Sequence, residues 1–412
     1  MKIGIDARFI GPEGTGLGKY TEKLIENLAK IDSKNHYIIF LRRSNWDWLK
    51  LKSKNFTKIL ADVPWYSIAE QIKLPKIFAS QNLDLLHVPH FNVPIFYRSK
   101  FIVTIHDLIH HQFTQESATT RNFLIFKLKR FAYRYIIRHT IKNSQRILTP
   151  SNFIKNEIIK TFKVAPTHIA VTYEAAEEEY FYKTPNSTRP RPSRDEVGKL
   201  QIPNLLKKNN IKTPYIIYVG NAYPHKNLEK LLQAFKILVH SSQFAACLPA
   251  RQVHSKKSVN REPLTDNLHL MIVCPRDVFW KRLKDKIKEQ GLEKQVISTG
   301  YIPAQELAVI LRSAEAYVSP SLSEGFGIPG LNAMAASVPV VAANIPTLKE
   351  VYSNAALYFD PDNPKDIAVK IEQVLGNKTT RSDLVKRGLE QVKKYSWLKM
   401  AKETLKVYKQ ML

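Results

Sequence analysis

Apolar and polar positions along the chain fall into two recurring patterns. Residues 1–6 (MKIGID) form a short apolar run that ends on a charge, and 36–41 (HYIIFL), 84–88 (DLLHV), 101–105 (FIVTI) and 146–149 (RILT) repeat that form. Runs of this length, closed by polar or turn residues, predict strands buried on both faces. A second spacing lies between the first two runs. Leu24, Ile25, Leu28 and Ile31 recur at intervals of three and four, which predicts a helix over 20–31. Alternation of strand and helix, with polar residues after the strands, predicts a mostly parallel sheet. The pattern weakens over 174–213, where Pro185, Pro190, Pro192 and Pro203 are scattered among Asn, Ser, Lys and Arg, and this reads as a domain junction. It then restarts, with strands over 215–219, 268–274, 296–299, 316–319 and 339–342 and helices over 227–238, 279–290, 306–313 and 328–336. Two α/β domains follow from the repetition.

Composition and charge change this outline in a few places. The chain has 412 residues, enough for two or three domains at a typical ~150 residues each. Lys and Arg number 63 against 36 Asp and Glu, a net charge of +27. That excess points to polyanions: nucleic acid, anionic lipid headgroups or phosphorylated substrates. No helix-turn-helix or RNA-binding sheet motif accompanies it, so nucleic acid is not an expected partner. Cys247 and Cys274 are too few for a disulfide framework or a cysteine-rich zinc module, and a reducing, cytoplasmic location is expected. A strand-like run from residue 2 leaves no room for a signal peptide, and no apolar run reaches the ~18 residues of a membrane span.

Part of the charge is ordered. Lys127, Arg130, Arg134, Arg138 and Lys142 recur every three or four residues within 121–146, a segment without Asp or Glu. Leu124, Leu128, Phe131 and Tyr135 form an apolar edge beside that stripe. A helix packed on the sheet with its basic face outward is predicted, either simply solvated or facing an anionic membrane surface or a pyrophosphate-bearing substrate. Residues 64–78 (PWYSIAEQIKLPKIF) add aromatics of exposed character. Residues 243–266 are long for an α/β connection and read as a solvated insertion or a partner- or membrane-binding loop.

Chemistry is concentrated in the turns. Gly11, Gly14, Gly16 and Gly18 follow the first strand and could let backbone amides approach an anion, although their spacing fits neither a dinucleotide fingerprint nor a lysine-bearing P-loop. A simple tight turn is the other reading. In GNAYPHKN (220–227) Lys226 falls near a helix N-terminus, where the dipole already favours an anion such as a diphosphate. In SPSLSEGFGIPGLNAMA (319–335) a strand ends at Glu324 within a Gly-Phe-Gly turn before a helix. Open α/β sheets bind ligands at such strand ends, so Glu324 suits sugar hydroxyls and Gly325, Phe326 and Gly327 can offer N–H groups. His106 and Asp107 end the strand FIVTI, where a histidine can meet a hydroxyl, a phosphate or a proton in transfer. His87, His90, His106, His110 and His111 cluster in sequence, but without metal-ligand spacing, and no metal is expected.

These segments together resemble the large retaining glycosyltransferase family 4, in particular bacterial mannosyl- and rhamnosyltransferase-like group 1 enzymes. The resemblance runs through MKIGIDARFIGPEGTGLGKY, LLHVPHFNVP, VTIHDLIH, YVGNAYPHKNLEKLLQAF, SLSEGFGIPGLNAMAASVPVVAANIPTLKEV, AALYFDPDNPKDIA and YSWLKMAKETLKVY, in order. It implies the GT-B architecture, two Rossmann-like domains facing across a cleft. An acceptor-binding domain over 1–190, a donor-binding domain over 191–390 and a closing helix over 391–412 that packs back on the first domain are implied. The implied reaction moves a hexose, mannose from GDP-mannose as first choice, from a nucleotide-diphosphate sugar to a glycan or polyprenyl-diphosphate-linked acceptor. No cofactor is implied.

Mapped by motif, Lys226 would bind the diphosphate, Glu324 the sugar hydroxyls and His106 the transferred sugar, as the catalytic set. Gly16, Asn221, Arg276, Tyr301, Ile302, Phe326, Gly327, Ile328 and Asn332 would surround the donor. Asn92, Asp107 and Ser151 fall on the acceptor side. Two positions depart from the pattern. Asn332 stands where a second Glu normally accepts from the ribose hydroxyls, and a neutral amide makes the weaker acceptor. Asn221 stands where an Arg commonly assists Lys226. Both leave a second function open: a weakly active or inactive relative with a regulatory or binding role.

Overall fold

The computed structural model describes residues 1–11, 14–51, 53–112, 123–181, 202–240 and 267–411. The chain divides into two compact units, Met1–Ala175 with Tyr395–Leu412, and Ala176–Lys394. The sequence boundary at 190/191 and the insertion at 243–266 lie outside the described residues. The boundary at 390/391 falls inside the continuous helix Lys378–Val392, and the unit ends just after that helix.

In the first unit, β1 (Lys2–Asp6), β2 (His36–Leu41), β3 (Phe56–Leu60), β4 (Leu85–Val88), β5 (Phe101–Thr104), β6 (Arg146–Thr149) and β7 (Ile169–Val171) form one sheet. The strand order is β3-β2-β1-β4-β5-β6-β7, and every pairing is parallel. Helices α1 (Thr15–Ile31), α2 (Ile68–Ala79), α3 (Ile109–Gln112), α4 (Phe123–Asn143) and α5 (Asn152–Phe162) connect the strands. The apolar runs bury completely, as expected of strands covered on both faces: Ile3, Ile5, Phe40, Leu86, Val103 and Ile147 are all inaccessible to solvent. Ile3 of β1 stands opposite Leu85 of β4, and Ile5 opposite His87.

In the second unit the order is β10-β9-β8-β11-β12-β13, again all parallel. The strands are β8 (Tyr215–Val219), β9 (His269–Val273), β10 (Val296–Ser298), β11 (Ala316–Ser319), β12 (Val340–Ala343) and β13 (Ala356–Phe359). Helices α6 (Ile202–Lys208), α7 (Leu228–His240), α8 (Val278–Glu289), α9 (Ala304–Ser313), α10 (Ile328–Ala335), α11 (Pro346–Tyr352), α12 (Pro364–Gly376) and α13 (Lys378–Val392) belong to it. The last helix, α14 (Trp397–Lys409), returns to the first unit. Its Trp397, Met400, Ala401 and Tyr408 are buried, and the Tyr408 hydroxyl lies 2.7 Å from His87 Nδ1.

Each sheet therefore reverses its strand order once, at β1/β4 in the first unit and at β8/β11 in the second. Crevices for ligands open outside the carboxyl ends of strands at such reversals. The segments that follow these four strands carry the glycine loop, Pro89–His90–Phe91–Asn92, the Lys226 turn and the Glu324 turn.

The predicted basic helix exists, but its apolar edge is corrected. Phe131 and Tyr135 are 70% and 55% exposed, while Ile137, Thr140 and Ile141 are buried. The inner face is set by Tyr133, whose ring meets Phe91 edge-on at 4.9 Å, and by Thr140, whose hydroxyl donates to the Phe91 carbonyl. Leu124, Leu128 and Lys127 have side chains outside the described set. Arg134, Arg138 and Lys142 are exposed, as a solvated basic stripe requires. Among the described residues no helix is long and apolar enough to cross a membrane.

Candidate functional site

In the second unit, two turns after neighbouring strands are tied together. Tyr218, buried in β8, donates its hydroxyl to the Asn221 carbonyl at 2.7 Å, and the Tyr218 oxygen sits so close to Gly220 that a Cβ there would lie 2.5 Å from it. The turn ends at Asn227 in a left-handed conformation, φ 57°, with its amide donating to the carbonyls of Pro320 and Pro361. Leu322 N–H donates to the His225 carbonyl at 2.8 Å. These links bring Lys226 Nζ to 2.7 Å from Glu324 Oε1, each side chain about 15% exposed. The same carboxylate oxygen accepts from Ser321 Oγ at 2.7 Å, and Thr347 Oγ1 donates to the Glu324 carbonyl. Burial pushes the Glu324 carboxyl up, but the Lys226 ammonium and the Ser321 hydroxyl, with His225 nearby, outweigh it and hold the carboxyl below its ordinary value.

The following turn is shaped by Tyr352. Gly327 has φ 92° and caps α10, and its carbonyl accepts from the buried Tyr352 hydroxyl at 2.6 Å. A Cβ at Gly327 would stand 2.5 Å from that hydroxyl oxygen, and one at Gly330 2.2 Å from it. Phe326 is 3% exposed, so its contribution to a ligand is its backbone. Ile328 opens the helix, whose first N–H groups face the end of the Glu324 turn.

Asn332 is placed differently from expectation. It is buried, and both ends of its amide are engaged: Oδ1 accepts from Glu177 N–H at 2.9 Å and Nδ2 donates to Glu177 Oε1 at 3.3 Å. Arg312 holds the same segment by donating to the Glu179 carbonyl at 3.1 Å. Arg276 lies over Gly300, whose φ of 76° leaves its α-carbon open to the guanidinium. Tyr301 is 68% exposed, whereas Ile302 is a core residue. Asn221 caps its own turn by accepting from Tyr223 N–H.

In the first unit the glycines of the loop separate by role. A Cβ at Gly14 or Gly18 would collide with the Phe9 carbonyl oxygen, at 1.6 and 2.4 Å, but one at Gly16 would meet nothing within 4 Å. Asn45 organises the approach to the loop by donating to the carbonyls of Ala7, Arg8 and Ile10. His106 lies with Nδ1 3.0 Å from Glu174 Oε1 and Nε2 3.2 Å from the Pro89 carbonyl, and its ring meets Tyr20 edge-on at 4.6 Å. Asp107 accepts from Ile109 N–H, and Ser151, fully buried, caps α5 by accepting from Ile154 N–H, so both act locally on backbone. Asn92 is buried, donates to Glu70 Oε2 at 2.6 Å, and keeps its Oδ1 without a hydrogen-bond partner among the described residues. Among the described residues no group of His, Cys, Asp and Glu is clustered to hold a metal.

The structure thus joins Lys226 to Glu324 and Gly327 to the same turn. Sequence reasoning missed Glu174, Glu177, Ser321 and Tyr352. Glu174 and Glu177 lie in TYEAAEEEY, a stretch whose lack of periodicity reads as a junction.

Comparison with known proteins fits this geometry. Residues 14–180 match the family described as Glycosyltransferase Family 4, and residues 201–391 the family described as Glycosyl transferases group 1. The chain is 27% identical to O-antigen chain mannosyltransferase B of Escherichia coli over 410 residues, 96% of each chain. Among solved structures it superposes on the sucrose-phosphate synthase of Thermosynechococcus elongatus with a TM-score of 0.73 at 18% identity, over 100% of this chain and 98% of the other. It also superposes on HepE of Anabaena in complex with UDP and glucose, with a TM-score of 0.70 at 13% identity over the full length of both. Two parallel sheets of this kind define the GT-B class of two Rossmann-like domains. The chain is a GT-B-fold glycosyltransferase related to both families and to a bacterial O-antigen mannosyltransferase.

Proposed function

We propose that this chain is a retaining hexosyltransferase. It takes mannose from GDP-mannose as first choice and delivers it to a hydroxyl of a glycan or a polyprenyl-diphosphate-linked glycan. The observation that carries the reading is the Lys226–Glu324 contact at the carboxyl ends of the adjacent strands β8 and β11, beside the α10 N-terminus. Lys226 and the helix dipole suit a diphosphate, and Glu324 suits sugar hydroxyls. In the reaction the bond from the anomeric carbon to the diphosphate oxygen breaks. The bond to the acceptor oxygen forms on the same face, and the acceptor proton passes to the departing diphosphate. Lys226 supplies the electrostatic stabilisation of the charge that develops on that leaving group. Asn221 brings no second cation, so Lys226 carries more of this role than an Arg–Lys pair would require of it.

The relative from Escherichia coli is named a mannosyltransferase, and HepE was solved with UDP and glucose, so both donor classes belong in the test. Donor hydrolysis and transfer are measured across GDP-, UDP- and dTDP-sugars, with Lys226→Ala as control and the anomeric configuration of the product read by NMR. The expected result is turnover of one donor with retention, lost in the variant. Turnover of none, or equal turnover in Lys226→Ala, overturns the reading. The exposed Arg134, Arg138, Lys142, Phe131 and Tyr135 of α4 support work at an anionic membrane on its cytoplasmic face, checked by salt-sensitive sedimentation with phosphatidylglycerol vesicles.

A further inference from the structure

The first unit carries a feature that donor binding does not use. At the carboxyl ends of β1, β3 and β4, aromatic rings form a continuous ladder. Phe9 and Trp65 stack at 4.4 Å with planes 5° apart, Phe9 meets His90 at 5.0 Å, and His90 meets Phe91 at 4.1 Å. Tyr66 closes the row, edge-on to His90 at 5.9 Å with its hydroxyl 3.3 Å from His90 Nε2. Most of these rings are covered, since Arg42 also lies over Trp65, but Tyr66 is 59% exposed.

Tyr66 is also strained. Its φ is 55°, in the left-handed region that bulky residues avoid. It is held there by a buried polar base: its N–H donates to Glu70 Oε2 at 2.8 Å, and Glu70 is in turn fixed by Arg8 at 2.7 Å and Asn92 at 2.6 Å. Arg8 also binds the Asp6 carboxylate and donates to the Val63 carbonyl just before the Tyr66 turn. The surroundings impose this conformation on a largely solvent-facing tyrosine, and strain of this kind clusters at functional sites. Asn92, whose Oδ1 is buried without a partner among the described residues, sits two residues past His90 in the same ladder segment.

We infer that Tyr66 is the stacking platform for a pyranose ring of the acceptor glycan, an assignment that rests on the transferase reading above. A pyranose has an apolar C–H face and a rim of hydroxyls. A flat, preoriented aromatic ring beside polar groups fits that pattern, while Ile68 and Ile72, 81% and 52% exposed on the helix that follows, make lipid the competing outcome of the test. The platform stands on the same sheet edge as His106, which is hydrogen-bonded to Pro89 directly before His90. A ring stacked on Tyr66 is thus placed against the segment that His106 braces.

The test is saccharide binding by saturation-transfer NMR and calorimetry, using α-linked mannose and rhamnose trisaccharides without donor. Wild type, Tyr66→Phe and Tyr66→Gly are compared, and their thermal midpoints recorded. The expected result is affinity within about threefold for Tyr66→Phe and at least tenfold weaker for Tyr66→Gly. The glycine variant, freed of strain, should melt no lower than wild type, which separates lost binding from lost folding. No binding by wild type, equal affinity in Tyr66→Gly, or Tyr66-dependent binding to phosphatidylglycerol vesicles in place of saccharide overturns the assignment. Because no donor is present, these outcomes are independent of the donor screen that tests the transferase reading.

Discussion

Replacing Lys226 with alanine leaves Glu324 without its cation in a site where each side chain is about 15% exposed. Removing one partner of a buried ion pair costs roughly 3–5 kcal/mol. Partial exposure and the Ser321 hydroxyl, which still donates to Glu324 Oε1, reduce this to about 2 kcal/mol. For a unit the size of Ala176–Lys394 that lowers Tm by about 4–8 °C near neutral pH. The pH dependence is the sharper measurement. In the wild type the Glu324 carboxyl is held below its unfolded value, so its contribution is in place at neutral pH and is lost as pH falls through the folded value. Without Lys226, burial acts with less opposition and the carboxyl rises above its unfolded value. The variant then recovers stability as pH falls through that raised value. Differential scanning calorimetry of both proteins from about pH 7 to about pH 4 should show the gap between them narrowing. Equal stability at neutral pH, or two parallel pH curves, would refute the claim that the pair is mutually stabilising.

Three further outcomes are expected. Gly327→Ala places a Cβ 2.5 Å from the Tyr352 hydroxyl oxygen at a φ of 92° and should lower stability by about 2–4 kcal/mol, read by urea denaturation. Asn332→Glu turns a carboxylate toward Glu177 Oε1 and should destabilise by about 1–3 kcal/mol, while the double variant with Glu177→Gln restores the carboxylate–amide pair and most of the loss, as a double-mutant cycle measures. Burial, and then the His106 charge, drop His87 to about 3. An unfolded histidine titrates near ~6.5, so stability present above that value drains away as pH falls toward about 3. His87→Gln should flatten this acid limb in calorimetry.

The elements that could be read from sequence were those whose residues answer to a single local cause. Long apolar strands such as β1, β5 and β8 are buried on both faces, so their composition alone marks them. Lys226 and Glu324 stood out because glycine and helix-start signals surround them. β3 carries Lys58 and β7 has only three residues, so neither gives a periodic signal. The face of α4 was misread because its inner side includes Thr140, a polar residue whose hydroxyl is satisfied by the Phe91 carbonyl. Asn332 was legible as a departure from a pattern, but its partner was not. Glu177 comes from 155 residues earlier, and no local spacing records that contact. The buried Asp6–Arg8–Glu70 cluster has the same origin, since a charge in sequence looks solvated until the fold supplies its counterion.

The Lys226–Glu324 pair also sets a condition on what can occupy this turn of the second unit. With its two charges matched, the pair itself adds no net positive charge, whatever the +27 of the whole chain. An anion that engages only the lysine strands the carboxylate, and a neutral polyol that engages only the carboxylate strands the lysine. Separation is repaid only by a ligand that presents an anionic group and hydroxyls together. If the proposed reaction holds, once such a ligand is split and its sugar departs, the remaining anion would meet a carboxylate with no hydroxyl to accept from, and closure of the pair would favour its release. On the function proposed above, one 2.7 Å contact would act as a coincidence filter on entry and as an ejector afterwards.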